Sequence, residues 1–251
     1  MIFVLSFIIS FQLLFHHSAV FAVETSIFGE DGVEMLLIPG GEFMMGLQDD
    51  EPGSTENPLQ KMHLNSFYID KYEITNAQYQ RCVAAGFCKD PSLITDYPKT
   101  IHDDGKNWYK DKSMGAYPVV GLTWLQAVTY CRSIGERLPL TSEWEKAARG
   151  TDGRKYPWGN EWDGREANWD EKGKLDGHKK IAPVGLFPKG ASPYGVMDMA
   201  GNVWEWVDNF ILKGGSWYSY PISLRAGDPG QGPLVGRDDD IGFRCAKDIP
   251  E

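Results

Sequence analysis

Cysteine is the residue type here with the most chemistry to offer, and there are four: Cys82, Cys88, Cys131 and Cys245. None belongs to a CxxC pair, and His63, His102 and His178 are too scattered to complete a metal site with them. The alternative is oxidation to disulfides, which depends on compartment. Residues 1–22 carry no charged side chain, contain a long apolar run, and place the small residues Val20 and Ala22 just before a cleavage point at Val23. That pattern reads as a secretory signal peptide, with an uncleaved anchor as the rival reading because the run approaches a bilayer span. Export makes two disulfides the expectation. Three pairings exist in principle; locality favours Cys82 with Cys88, around Gly86, and Cys131 with Cys245.

A second candidate for chemistry is the charged group Arg137, Glu143 and Glu145. Two carboxylates can serve as acid and base, but residues two apart on a helix do not share a face. Structural ion pairs of Arg137 or Arg149 with a carboxylate are the better reading.

These residues need a folded chain to position them. The 251 residues include 28 Gly, 15 Pro, 9 Trp, 11 Tyr and 12 Phe with only 24% charged residues, which excludes disorder and coiled coil. A formal charge of −10 argues against nucleic acid and anionic membranes as partners and mildly favours cations. EMLLIPGGEFMMG reads as a β-hairpin, residues 49–60 as an acidic surface loop and HLNSFYID as a strand. Thr75 with Gln78, Thr123 with Gln126 and Ser142 with Glu145 have capping-box spacing. They start helices that Gly86, Gly135 and Gly150 end, the first spanning 76–85. From Thr151 to Asp208 helical periodicity disappears, and the stretch is too long for an ordinary loop. Packing by Trp158, Trp162, Trp169, Trp204 and Trp206 is one way to hold it, and bound cations are another. FILKGGSWYSY and DDIGFRCAKD add short strand-like pieces.

In order along the chain, IPGGEFMMG, FYIDKYEITNAQY, PVVGLTWLQAVTYC, ERLPLTSEWEKAARG, YPWGN, MDMAGNVWEWV, KGGSWYS and IGFRCA resemble the formylglycine-generating enzyme, or sulfatase-modifying factor, domain family. The resemblance covers residues 35–248, after a signal peptide (1–22) and a short lead (23–34). It implies an α+β fold, distantly C-type-lectin-like, with few short helices and much irregular structure. Genuine members oxidise a sulfatase cysteine to formylglycine with oxygen and a copper ion held by two cysteines after the GGS motif. The matching positions here are Ser219 and Leu224, and a hydroxyl and an alkyl group do not replace thiolates that select copper(I). The family pattern also commits Cys245 to Cys131, so no copper is expected. Leu140 stands where the family's RLPTEAEWE has Thr, which moves the expected cap to Thr141 or Ser142.

The family holds its irregular segment with calcium, and the ligands carry over residue by residue. The first set is the Asn168 side chain, the Trp169 carbonyl, the Asp176 carboxylate and the His178 carbonyl. The second is Asp198, the carbonyls of Gly201 and Val203, and Glu205. Carboxylate, amide and carbonyl oxygens in loops suit calcium, here in a structural role. The plainer reading is that Asp198 and Glu205 cap turns or pair with Arg, and that Asn168 is a turn residue. Ser216, Trp217, Tyr218, Ser219 and Arg225 line the equivalent of the family's substrate cleft, for ligand contact or simply for packing. The expected function is an exported, calcium-stabilised binding or accessory module for a protein, peptide or small molecule, with membrane contact only through the export signal. The alternative is a periplasmic oxidoreductase of the siderophore-maturation type with chemistry not based on cysteine.

Overall fold

The computed structural model describes residues 24–48, 57–91, 108–169, 177–230 and 238–250. The expected signal segment, Asp176, His102 and most of the acidic loop lie outside them.

Two of the three capping boxes form as read. At α1 (Asn76–Ala84) the Thr75 hydroxyl accepts the Gln78 N–H and Gln78 Oε1 accepts the Thr75 N–H; Thr123 and Gln126 do the same for α2 (Trp124–Ser133). Each box satisfies N–H groups that no helical carbonyl can reach. The third helix corrects the expectation. α3 spans Thr141–Arg149 with Leu140 at the cap, and Glu143 Oε2 accepts the Leu140 N–H at 2.8 Å. Neither Thr141 nor Ser142 caps it, because the Thr141 hydroxyl is spent on Asp208 Oδ1 at 2.8 Å. Glu145 is likewise unavailable to a box: it is buried in an ion pair with Arg149 at 2.9 Å, while Arg137 pairs with Glu143 at 2.7 Å.

The Pro39-Gly40 turn does not close a hairpin. β2 (Glu34–Ile38) enters it in one sheet and β3 (Gly41–Met45) leaves it in another. β2 pairs antiparallel with β1 (Ser26–Phe28) and with β5 (Phe67–Asp70), whereas β3 pairs with β4 (Gln60–Leu64). All four residues of β5 are buried, so β5 takes a central place beside β2 that a half-exposed β3 could not fill. HLNSFYID is therefore two strands, bent at Ser66, whose Oγ accepts the Gly40 N–H at 2.7 Å and ties the two bends together. β9 (Ala246–Asp248) completes the order β1-β2-β5-β9. A further sheet joins β6 (Trp204–Trp206) antiparallel to β7 (Leu212–Lys213) and parallel to β8 (Ile241–Phe243).

Helix α3 buries Trp144, Ala147 and Ala148 against Ile38, Phe67 and Ile69 of the four-stranded sheet. Helices α1 and α2 pack Tyr79, Tyr130 and Cys131 against Trp206 and Phe243. Both favoured disulfides form, Cys82–Cys88 and Cys131–Cys245, and no cysteine is free. The second joins residues 114 apart, a constraint on the unfolded chain of about 4–5 kcal/mol in the loop-entropy picture. The described part of 151–208 is irregular, as read, apart from a 3-10 turn at Pro188–Gly190, strand β6 at Trp204–Trp206 and the start of a 3-10 turn at Asp208–Phe210. Aromatic packing holds part of it: Tyr156 stacks on Trp158 at 5.2 Å between centroids, and Trp162 meets Trp169 edge-on at 5.2 Å. Trp206 is core, its indole N–H donating to the Leu122 carbonyl at 2.9 Å.

Candidate functional site

After β7 the chain turns through Gly214 and Gly215, both with positive φ, into the residues matched to the copper ligands. Any side chain at Gly215 would lie 3.1 Å from Leu224 Cδ1, so the turn is tight against that residue. Leu224 is fully buried with Tyr156, Ala167 and Ala200. Ser219 Oγ accepts the Ser216 N–H at 2.9 Å, and the buried Ser216 hydroxyl donates to Asp240 Oδ2 at 2.8 Å. Burial raises the Asp240 carboxyl to about 6, with Asp238 and Asp239 adding to it against the Ser216 hydrogen bond.

Of the other cleft residues, Trp217 is buried beside Trp108, Ile181 and Val203, and its indole N–H has no hydrogen-bond partner among the described residues. The Lys180 ammonium lies 5.4 Å from its ring centroid and 5.3 Å from that of Trp108. Arg225 is buried too, donating to the Ile222 carbonyl at 2.8 Å and lying 3.6 Å from Asp228. Tyr218 points outward at 63% exposure, followed by Tyr220 at 79%. A groove of about 410 Å³ between Asp163, Arg165, Glu166, Phe187 and Lys189 contains none of the expected site residues.

The first calcium-like set centres on Asn168. It is buried, and its Nδ2 donates to the Lys180 carbonyl and to Asn202 Oδ1, both at 2.9 Å. Its Oδ1 is buried and has no hydrogen-bond donor among the described residues. An amide oxygen fixed by its own NH2 and offered no N–H or O–H is suited to a cation. His178 faces Phe187 edge-on at 6.4 Å, and Trp169 Nε1 donates to the Gly164 carbonyl at 2.9 Å. The two sets adjoin, since a Cβ on Gly201 would fall 2.3 Å from the Asn168 carbonyl oxygen.

The second set is arranged differently. Glu205 accepts from Arg244 Nε and Nη2, both at 2.7 Å, and from Trp144 Nε1 at 2.8 Å. Arg244 is fully buried and also donates to the carbonyls of Asp70, Lys71 and Met197. Asp198, at φ 58°, accepts the Gly185 N–H at 2.6 Å. Behind it lies Glu73, buried, with one oxygen accepting from Asn202 Nδ2 at 3.0 Å and the other offered no N–H donor among the described residues, its carboxyl hydrogen-bonding instead toward Asp198. Burial and then Asp198 hold the Glu73 carboxyl well above the ordinary range, and burial raises Asp198. Sequence reasoning missed Glu73 and Arg244. The available signal was a lone charge inside each of two otherwise apolar runs, YEIT and IGFRCA.

No helix among the described residues is long and apolar enough to cross a membrane, and two disulfides fit an oxidising compartment. Comparison with known proteins agrees with the architecture. The protein YfmG of Bacillus subtilis is 33% identical over 88% of this chain and 55% of its own length, so the chain spans about half of that relative. The formylglycine-generating enzyme of Thermomonospora curvata is 32% identical, with 80% of this chain and 78% of that protein covered. The inactive C-alpha-formylglycine-generating enzyme 2 of Bos taurus is 28% identical, with 85% and 88% covered. Among solved structures, PvdO from Pseudomonas aeruginosa superposes with a TM-score of 0.72 at 26% identity, covering 90% of this chain and 98% of PvdO. A family model for the sulfatase-modifying factor enzyme 1-like domain matches residues 27–249, and the chain belongs to that family.

Proposed function

We propose that this chain is an exported family member that works as a binding or accessory module rather than as a formylglycine-generating oxidase. The observation that carries this reading is that both disulfides together consume all four cysteines. Copper(I) chemistry needs soft thiolates, and the residues at the matched positions have other work. Ser219 receives the Ser216 N–H, and Leu224 fills a core. The family includes relatives named for the activity and a bovine one named inactive, so membership alone does not decide. The ligand is a protein, peptide or small molecule, and the outward Tyr218 and Tyr220 supply the aromatic anchors that binding surfaces favour.

The test is incubation with copper(I), oxygen and a cysteine peptide of sulfatase type, read by mass spectrometry. The peptide should stay unmodified, and conversion to formylglycine overturns the proposal. The double variant Ser219→Cys/Leu224→Cys should bind copper(I) where the wild type does not. N-terminal sequencing of the exported protein should begin at Val23.

Calcium is part of the proposal at the first set, supported by the donorless Asn168 Oδ1, with Trp169, Asp176 and His178 as the companion ligands. Its contribution there is structural. The second set, Asp198, Glu205 and the carbonyls of Gly201 and Val203, already holds a cation of the chain's own at Glu205, so a calcium ion there would draw on Asp198 and the two carbonyls as its free ligands. A second reading, an oxidoreductase using chemistry not based on cysteine, draws on the likeness to PvdO and on the unpartnered Trp217 N–H in the cleft. Elemental analysis of protein purified without chelator separates the two: calcium alone supports the accessory module, and stoichiometric copper or iron supports the oxidoreductase.

A further inference from the structure

Glu136 breaks the ordinary rule for buried charge. It is 6% exposed, and both of its carboxylate oxygens are buried without a hydrogen-bond donor among the described residues. Its position just after α2 is fixed by its own N–H, which donates to the Cys131 carbonyl at 2.8 Å. Two more carboxylates stand beside it on other elements. Asp70, at the end of β5, is 1% exposed and its Oδ2 accepts the Cys245 N–H at 2.7 Å. Asp31, between β1 and β2, accepts the Val33 N–H at 3.0 Å and the Tyr130 hydroxyl at 2.7 Å.

These groups border one small space. A carboxylate oxygen of Asp70 and one of Glu136 lie within 4.8 Å of each other and of Cys245 Sγ, and that sulfur is consumed by its bond to Cys131. A Cβ on Gly29 would come 2.7 Å from Glu136 Oε1 and 3.1 Å from Asp31 Oδ1, so the bare glycine keeps that space open. Carboxylates gathered away from water are costly unless they hold protons or positive charge enters among them, and a bound cation displaces such protons. The chain brings positive charge to the edges of this space but, among the described residues, no donor to the Glu136 oxygens. Lys247 acts on Glu136 more weakly than burial and Asp31 do, Glu30 adds a further negative charge, and the carboxyl is pushed up to about 8. Arg244 pairs with Glu205 and reaches this space only through Asp70, whose carbonyl accepts its Nη1 at 3.1 Å, and Arg81 donates to the Asp31 carbonyl, not to its carboxylate, at 3.1 Å.

We propose that Asp31, Asp70 and Glu136 form a binding site for one hard divalent cation of calcium type, beside the Cys131–Cys245 disulfide. Oxygens that share a calcium ion at about 2.3–2.6 Å stand no more than about 5 Å apart, and the Asp70–Glu136 spacing meets that limit. The donors are hard carboxylate oxygens, which select calcium, magnesium or manganese and not copper(I). An ion there ties the β1–β2 turn, the end of β5 and the segment after α2 to the disulfide that anchors the C-terminal strand. The site is separate from the Asn168 set and does not rest on it.

The test is calorimetric titration of calcium into the chelator-stripped full chain as wild type, Glu136→Gln and Asn168→Ala, with folding of each checked by circular dichroism. The wild type should bind one ion more than Glu136→Gln, while Asn168→Ala keeps the ion that Glu136→Gln loses, so the failure of either site is seen by itself. Glu136→Lys, which puts an ammonium into the same space, should lose the ion and unfold no earlier than the stripped wild type. If Glu136→Gln does not fold, Asp31→Asn replaces it and should weaken the same ion at least about tenfold, as loss of one charged ligand does. Equal stoichiometry and affinity in wild type and Glu136→Gln overturn the proposal, as does a wild type whose bound ions are all lost in Asn168→Ala.

Discussion

Two neighbouring groups of oxygen donors, touching where Gly201 meets the Asn168 carbonyl, end in opposite electrostatic states. Around Asn168 a buried amide oxygen faces no donor among the described residues. Around Glu205 the carboxylate faces a guanidinium and an indole N–H at hydrogen-bond distance. Both groups have the residue types of a cation site, so residue type and spacing do not separate them. What separates them is whether the chain brings its own cation: Arg244 arrives at Glu205 from 39 residues further along, and among the described residues no donor arrives at Asn168 Oδ1.

The sharpest way to break this comparison is Arg244→Leu. It strands Glu205 as a buried charge and leaves the Asp70, Lys71 and Met197 carbonyls without a donor. Removing one partner of a buried pair costs about 3–5 kcal/mol, read as a fall in the urea midpoint. Millimolar calcium should restore part of the loss in Arg244→Leu and none in Arg244→Leu/Glu205→Gln. No rescue in the single variant would mean that the second group has lost cation-binding geometry as well as charge.

Chelation is the next largest effect and bears on the Asn168 side. An ion at about a hundred times its dissociation constant adds about 2.7 kcal/mol, so EDTA should lower the wild-type Tm by about 5–10 °C for a domain of this size. A Tm indifferent to EDTA removes calcium from the proposal. Asn168→Ala, measured with chelator present, should cost a further 1–2 kcal/mol or so through its two lost donations. Much of the calcium-dependent increment should vanish with it.

How far these features were legible follows from the range of the interactions. The boxes at Thr75 and Thr123 were readable because donor and acceptor are three residues apart. The start of α3 was misread because the Thr141 hydroxyl is claimed by Asp208, 67 residues away. The Pro39-Gly40 turn looked like a hairpin because turn chemistry is local, while the choice of β5 as partner of β2 is made by burial. The disulfides were legible because few pairings were available to four cysteines. The ligand types at Asn168 and Glu205 could be carried over from a family resemblance. The closing of one group by Arg244, and the stray carboxyls of Glu73 and Glu136, depend on contacts between distant segments.

The smallest predicted effect concerns the proton that completes the second group. Glu73, Asp198 and Glu205 gather around the single guanidinium of Arg244, so one cation does not neutralise three carboxylates. Burial together with Asp198 raises Glu73, which makes it the group that keeps a proton, and Asp198 is raised as well. The sign follows from linkage. Below the ordinary carboxylate range the folded and unfolded chains both hold this proton. Above it the unfolded chain releases the proton while the fold retains it, so stability falls as pH rises, by at most about 1.4 kcal/mol per unit for one proton. Glu73→Gln keeps an acceptor for Asn202 and carries permanent N–H groups toward Asp198. Its stability at pH 5 should stay within about 1 kcal/mol of wild type, the scale of one neutral hydrogen bond, and its loss between pH 5 and pH 8 should be shallower. Glu136 and Asp240 titrate in the same window but are common to both proteins, so the difference between the two slopes isolates Glu73. Identical slopes would place the retained proton on Asp198 instead, and Asp198→Asn would then flatten the curve.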